Sequence, residues 1–198
     1  MKKIKSSLEL ALERTADIQV DKEAIKREEL IQKGRGAAGR YLFSPESLLL
    51  PDELKSLTPE EQEWMKSGMV ETLMANITLP RYESELSYYP KVAKALRDIC
   101  NPEYSQLNDL DYILNQFAEF FKQYQDTLSQ LEKQLRRQWE PRLRQKEQMH
   151  KEATGQTINL TIELDPEFAK TLGEEIARID AEYTSLLNQG KEEIRKLV

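Results

Sequence analysis

Between Leu110 and Leu135 apolar residues recur at alternating steps of four and three: Leu110, Leu114, Phe117, Phe121, Tyr124, Leu128, Leu131 and Leu135. A mean spacing of 3.5 residues holds the stripe on one side of a helix that supercoils. Such a helix must bury its stripe against another helix, from the same chain or from a second copy. No other feature constrains the fold as strongly, and this one points to assembly rather than to a reaction.

The composition agrees. The 198 residues are 39% hydrophobic and 32% charged, the balance of elongated helices whose surface stays wet. A net charge of -6 excludes a chain that coats nucleic acid with its whole surface. The single cysteine, Cys100, allows no intrachain disulfide and sits among Val92, Ala93, Ala95, Leu96 and Ile99, which reads as a buried structural thiol. No stretch approaches the roughly 18 apolar residues of a membrane span. Met1-Lys2-Lys3-Ile4-Lys5-Ser6 has no apolar run behind it, so a cytoplasmic chain with no membrane association is expected.

Ser6 with Glu9 forms a capping box before Leu8, Ala11 and Leu12, predicting a short first helix. Asp21 caps a second, with Ala24, Ile25, Ile31, Ala38 and Leu42 on its apolar side and Ser44-Pro45 at its end. Residues 44–58 read as irregular but bury part of Leu48-Leu49-Leu50. Thr58-Pro59-Glu60-Glu61 starts a helix carrying Met65, Met69, Leu73 and Ile77 on one side. Pro80, Pro90 and Pro102 separate short helices beyond it. Residues 1–105 therefore predict a small helical domain.

Residues 106–198 predict a helix–strand–helix arm. The long helix starts near Asn108 or Asp109 and runs to about Ala153, ended by Thr154-Gly155. Gln138 and Arg142 take over the heptad core positions, while Trp139 and Leu143 move the apolar side as a stutter does. Pro141 is expected to kink or break the helix. Thr157 to Leu164 alternates strictly, with Ile158, Leu160, Ile162 and Leu164 on one face, and predicts a short strand. The chain offers no second strand of that quality, so pairing with a second copy or another protein is expected. Asp165-Pro166-Glu167 opens the last helix, striped by Phe168, Leu172, Ile176, Ile179, Tyr183, Leu186 and Leu197. The fold class is mainly α: a small helical domain, then a long antiparallel coiled-coil-like helix pair with one short β-strand between its helices.

Motifs for chemistry are weak. Gly34-Arg35-Gly36-Ala37-Ala38-Gly39 matches GxGxxG but follows a charged helical run, not the strand that a phosphate turn requires. Its glycines end or weaken a helix, or let a neighbouring helix approach. One Cys and one His supply no metal site. Paired acids such as Glu28-Glu29 face no partner that would tune them. No catalytic residue, cofactor or metal ligand is assigned, and a non-enzymatic protein is expected.

The basic cluster carries more weight. Lys133, Arg136, Arg137, Arg142, Arg144, Lys146 and Lys151 stand against Glu140 and Glu147, seven minus two, a local +5. Arg136, Arg137, Trp139, Arg142, Arg144 and Lys146 are candidate anion-binding residues, with Trp139 available to stack on a base. The competing reading is a solvated helix whose cations pair with acids on a neighbouring arm. It is favoured because the arginines spread around the helix.

The opening Ile4 to Thr15, with Gly39-Arg40-Tyr41-Leu42, resembles an uncharacterised bacterial family of small helical proteins. That resemblance implies no assigned activity and carries over no functional residue. The expected function is a cytoplasmic scaffold or adaptor that self-associates, a dimer being favoured, and binds a protein partner. The alternative is a nucleic-acid-associated factor using residues 133–151.

Overall fold

A computed structural model describes residues 22–45, 49–100 and 104–198. The helix expected from Ser6 and Glu9, the Asp21 cap, Leu48 and Pro102 lie outside the described residues, as do residues 4–15 of the resemblance. The protein is mainly α. Its helices are α1 (Lys22–Phe43), α2 (Leu50–Leu54), α3 (Pro59–Ala75), α4 (Glu83–Leu86), α5 (Tyr89–Ile99), α6 (Tyr104–Thr154) and α7 (Pro166–Leu197), with a 3-10 turn at Ile162–Leu164.

Local chemistry sets the helix ends. Thr58 and Glu61 close a reciprocal capping box, with Pro59 in the first turn of α3. Gly155 takes φ 73° just beyond α6, a left-handed conformation that glycine adopts without strain, and its N–H bonds Lys151. Asp165 caps α7 by accepting from the N–H groups of Glu167 and Phe168.

α1 and α3 pack at unusually close range. Gly34 lies against the Met65 carbonyl and Gly68 against the Ile31 carbonyl. These contacts select the buried side of α1, which is Leu30, Gly34, Ala37, Ala38, Tyr41 and Leu42. Ala24 and Ile25, expected on that side, are exposed. Met65, Met69, Leu73 and Ile77 are buried.

One large core joins α1, α2, α3 and α5 to the first half of α6, through Leu110, Leu114, Phe117 and Phe121, and to the end of α7, through Leu187 and Ile194. It thus crosses residue 105. Cys100 is buried there, its thiol against the Leu197 carbonyl. A second, smaller core of Leu135, Trp139, Leu143, Ile162 and Phe168 lies between the far parts of α6 and α7. The protein is a helical head with a two-helix arm.

α6 has 51 residues, a length of about 76 Å. It runs through Pro141 without breaking. Pro141 is exposed, while Trp139 and Leu143 on either side are buried against the arm's other residues, so packing holds both halves in line.

The expected strand does not form. Residues 157–161 are irregular and Ile162–Leu164 make the 3-10 turn. Of Ile158, Leu160, Ile162 and Leu164, only Ile162 is buried, and Leu164 is 81% exposed. The physical reason is the missing partner: alternation alone supplies no donors or acceptors for an edge. The Leu160 N–H instead donates to the Glu147 carboxylate, 2.7 Å away. Among the described residues this segment therefore forms no strand and pairs with none.

Candidate functional site

The junction of head and arm is built around Asp180. Loop residues 76–82 follow α3 because Pro80 and the Asn76 cap end helical order there. This loop brings Arg81 to one Asp180 oxygen. Tyr124 of α6 donates its hydroxyl to the other at 2.6 Å. Burial, then this carboxylate, pushes the Tyr124 phenol up to about 12. Tyr183, one turn along α7, donates to the Thr127 hydroxyl, 3.0 Å away, because Thr127 spends its own hydrogen on the Gln123 carbonyl. Its ring lies 5.0 Å from that of Phe120 and 5.1 Å from that of Tyr124.

Beside this junction lies a cleft of about 550 Å³, lined by Ile77, Leu79, Leu86, Tyr89 and Phe121 with Arg81 and Glu85 among its polar groups. Tyr89 and Phe121 meet edge to face at 5.1 Å. The Tyr89 hydroxyl donates to the Leu114 carbonyl at 2.6 Å, and burial raises its pKa. A phenol held protonated in this way is neither a base nor a nucleophile.

A second groove, about 380 Å³, runs from Arg81 and Tyr82 onto the arm between α6 and α7. Leu128, Leu172 and Ile176 line it and are only half-buried. Tyr82 stands 71% exposed at its edge. Of the heptad residues, Leu110, Leu114, Phe117, Phe121, Tyr124 and Leu135 are buried, whereas Leu128 and Leu131 are half-buried. Past the head the stripe is covered, among the described residues, by α7 and by Ile162 of the 3-10 turn.

The basic cluster divides. Arg136 reaches Glu132 on its own helix and Glu163 across the arm, at 2.6 Å from the latter. Lys146 reaches Asp165 at 2.8 Å and Glu167 at 3.8 Å. The ammonium holds the Asp165 carboxyl below the usual carboxylate range. Trp139 is buried edge-on against Phe168, so it cannot stack on a base, and the Arg142 guanidinium lies 4.7 Å over its ring. Arg137 and Arg144 are exposed and make no ion pair among the described residues. Position around the helix relative to Leu135 and Trp139 is the signal that separates these groups.

Among the described residues no three His, Cys, Asp or Glu side chains gather to hold a metal ion. No helix among them is long and apolar enough to cross a membrane. The family model described as a family of unknown function (DUF6657) matches residues 51–196. The matched range covers most of the chain but leaves out residues 4–15 and 39–42. No curated protein and no solved structure matches the chain significantly.

Proposed function

We propose that this chain, which belongs to the DUF6657 family of unknown function, is a non-enzymatic cytoplasmic helical adaptor that self-associates and presents its coiled-coil-like arm to a partner. The observation that carries the reading is the groove on the arm. Leu128, Leu172 and Ile176 are left half-covered by intrachain packing, and an aromatic ring, Tyr82, stands free beside them. In a two-fold dimer each Tyr82 would enter the other copy's groove, since an isologous interface uses one patch twice. Aromatic anchors set in apolar pockets are the groups on which association energy concentrates. The pairing sets a loop side chain into a groove between helices and needs no strand.

Light scattering at roughly tens of micromolar, where a micromolar dimer is populated, tests the reading. The expected result is a dimer that Tyr82→Arg or Leu172→Lys converts to monomer, with helix content by circular dichroism retained. A wild-type monomer at that concentration refutes self-association.

A further inference from the structure

Four cations of the arm sort onto one line. Lys133, Arg137, Arg144 and Lys151 are separated by four, seven and seven residues. At 100° per residue they fall within about 40° of one another, between about 120° and 160° from buried Trp139. All four are exposed, and none makes an ion pair among the described residues. The cations that do find acids, Arg136 and Lys146, lie on other sides of the same helix. At ~1.5 Å per residue the row extends about 27 Å along a continuous helix. Glu140 shares the face, leaving four minus one, a local +3.

We propose that this outer face of α6 docks on the phosphate backbone of duplex nucleic acid. The charge is complementary and arranged as a straight row, the shape of a surface that follows a rod bearing a phosphate every ~3.4 Å of each strand. Single strands are disfavoured because no aromatic lies on this face and Trp139 is buried. Insertion into a lipid surface is disfavoured because the row has no apolar flank. The acidic head does not cancel the attraction. Lys133 lies twelve residues beyond Phe121 of the head core, about 18 Å along the helix, and the screening length at physiological salt is about 8 Å. The contact is sequence-independent, since phosphates carry no base identity. This deepens the adaptor reading by naming what the arm touches. Light scattering tests self-association without involving this face, so the two fail separately.

The test is fluorescence anisotropy of a labelled 30-base-pair duplex of mixed sequence, titrated with the full chain between ~50 and ~200 mM salt. Four phosphate contacts give a slope of about -3.6 in log affinity against log salt, a loss on the order of a hundredfold across that range. Replacing Lys133, Arg137, Arg144 and Lys151 together by Gln should weaken binding at least tenfold and flatten the slope. Glu140→Gln should tighten binding severalfold, a gain that a folding defect cannot produce. A control removing the same charge from Lys55, Lys91, Lys94 and Lys196 should change little. The proposal is overturned by no binding at ~50 mM salt, by an equal loss in the control, or by tighter binding of the single strand. Equal capture by phosphatidylserine vesicles or by polyglutamate overturns it as well, in favour of a lipid or an acidic protein.

Discussion

Gly34 and Gly68 stand in a reciprocal relationship across the α1–α3 crossing. A Cβ on Gly34 would overlap the Met65 carbonyl oxygen, and one on Gly68 would overlap the Ile31 carbonyl oxygen. Each glycine thus lies against the carbonyl three residues before the other. The obstacle is backbone on both sides and cannot rotate away. Ion pairs from Lys26 to Glu61 and from Arg35 to Glu71 flank the crossing.

Gly34→Ala should therefore destabilise the head, although alanine is the better helix former. Forcing two backbones apart costs about 1–3 kcal/mol or more, against roughly 1 kcal/mol gained in propensity. Gly39→Ala, in the same helix, meets nothing within 4 Å and should stabilise by about 0.5–1 kcal/mol. Urea denaturation of the two variants should move in opposite directions. Gly34→Ala with Gly68→Ala should cost less than the sum, because one methyl already separates the helices.

Acid should loosen the same crossing. Lys26, together with the Thr58 cap, holds the Glu61 carboxyl at about 2 against an ordinary 4.5. The folded value is depressed, so its contribution is complete above about pH 4.5 and is lost as the pH falls toward 2. Thermal melts of wild type and Glu61→Gln should differ at pH 7 and converge by about pH 2. A gap that stays constant with pH would assign the effect to packing instead.

The segment that failed to become a strand makes a sharp contrast. Leu160→Lys, at a position 38% exposed, should shift stability by no more than about 0.5 kcal/mol. Ile162→Lys puts a charge in the small core beside Trp139 and Phe168 and should cost several kcal/mol. Equal tolerance of both would mean that residues 157–164 do not pack as described.

Trp139→Ala should open the arm and spare the head. Deleting a buried tryptophan costs about 3–5 kcal/mol, more than a core of five buried residues can readily absorb. Hydrogen exchange should accelerate between about residues 131 and 172, while amides of α3 keep their protection. Uniform acceleration across both would show that the two cores unfold as one.

The sequence displayed its periodic features plainly. Leu110 to Tyr124 face a core because a 3.5-residue rhythm gathers them on one side of a helix, where burial is what takes so much apolar surface out of water. Trp139 with Leu143 carried the shift of the apolar side that the arm's second core uses. Thr58-Pro59 and Asp165-Pro166 marked helix starts by cap chemistry that is local and so readable. The period-two run at Ile158 to Leu164 misled because alternation describes one strand, whereas a strand exists only with a neighbour. Gly34 and Gly68 were not legible as a pair, since which helices cross is a tertiary fact. The division of the arginines was legible in principle. Counting 100° steps from Trp139 places Arg137 and Arg144 away from it, but the cluster reads as spread until the packed side of the helix is fixed.

Lys146 and Asp165 pair across 19 residues of chain, and Tyr124 and Asp180 across 56. Contacts between α6 and α7 thus grow steadily more distant in sequence from the tip of the arm toward the head. Closing a short loop loses less entropy than closing a long one. The arm should zip from its tip inward, each pair shortening the loop left for the next. Leu187 and Ile194 enter the large core at the far end of that zipper, so a closed arm shortens the loop by which the end of α7 must reach the head and lowers the entropy that the last part of the core has to overcome.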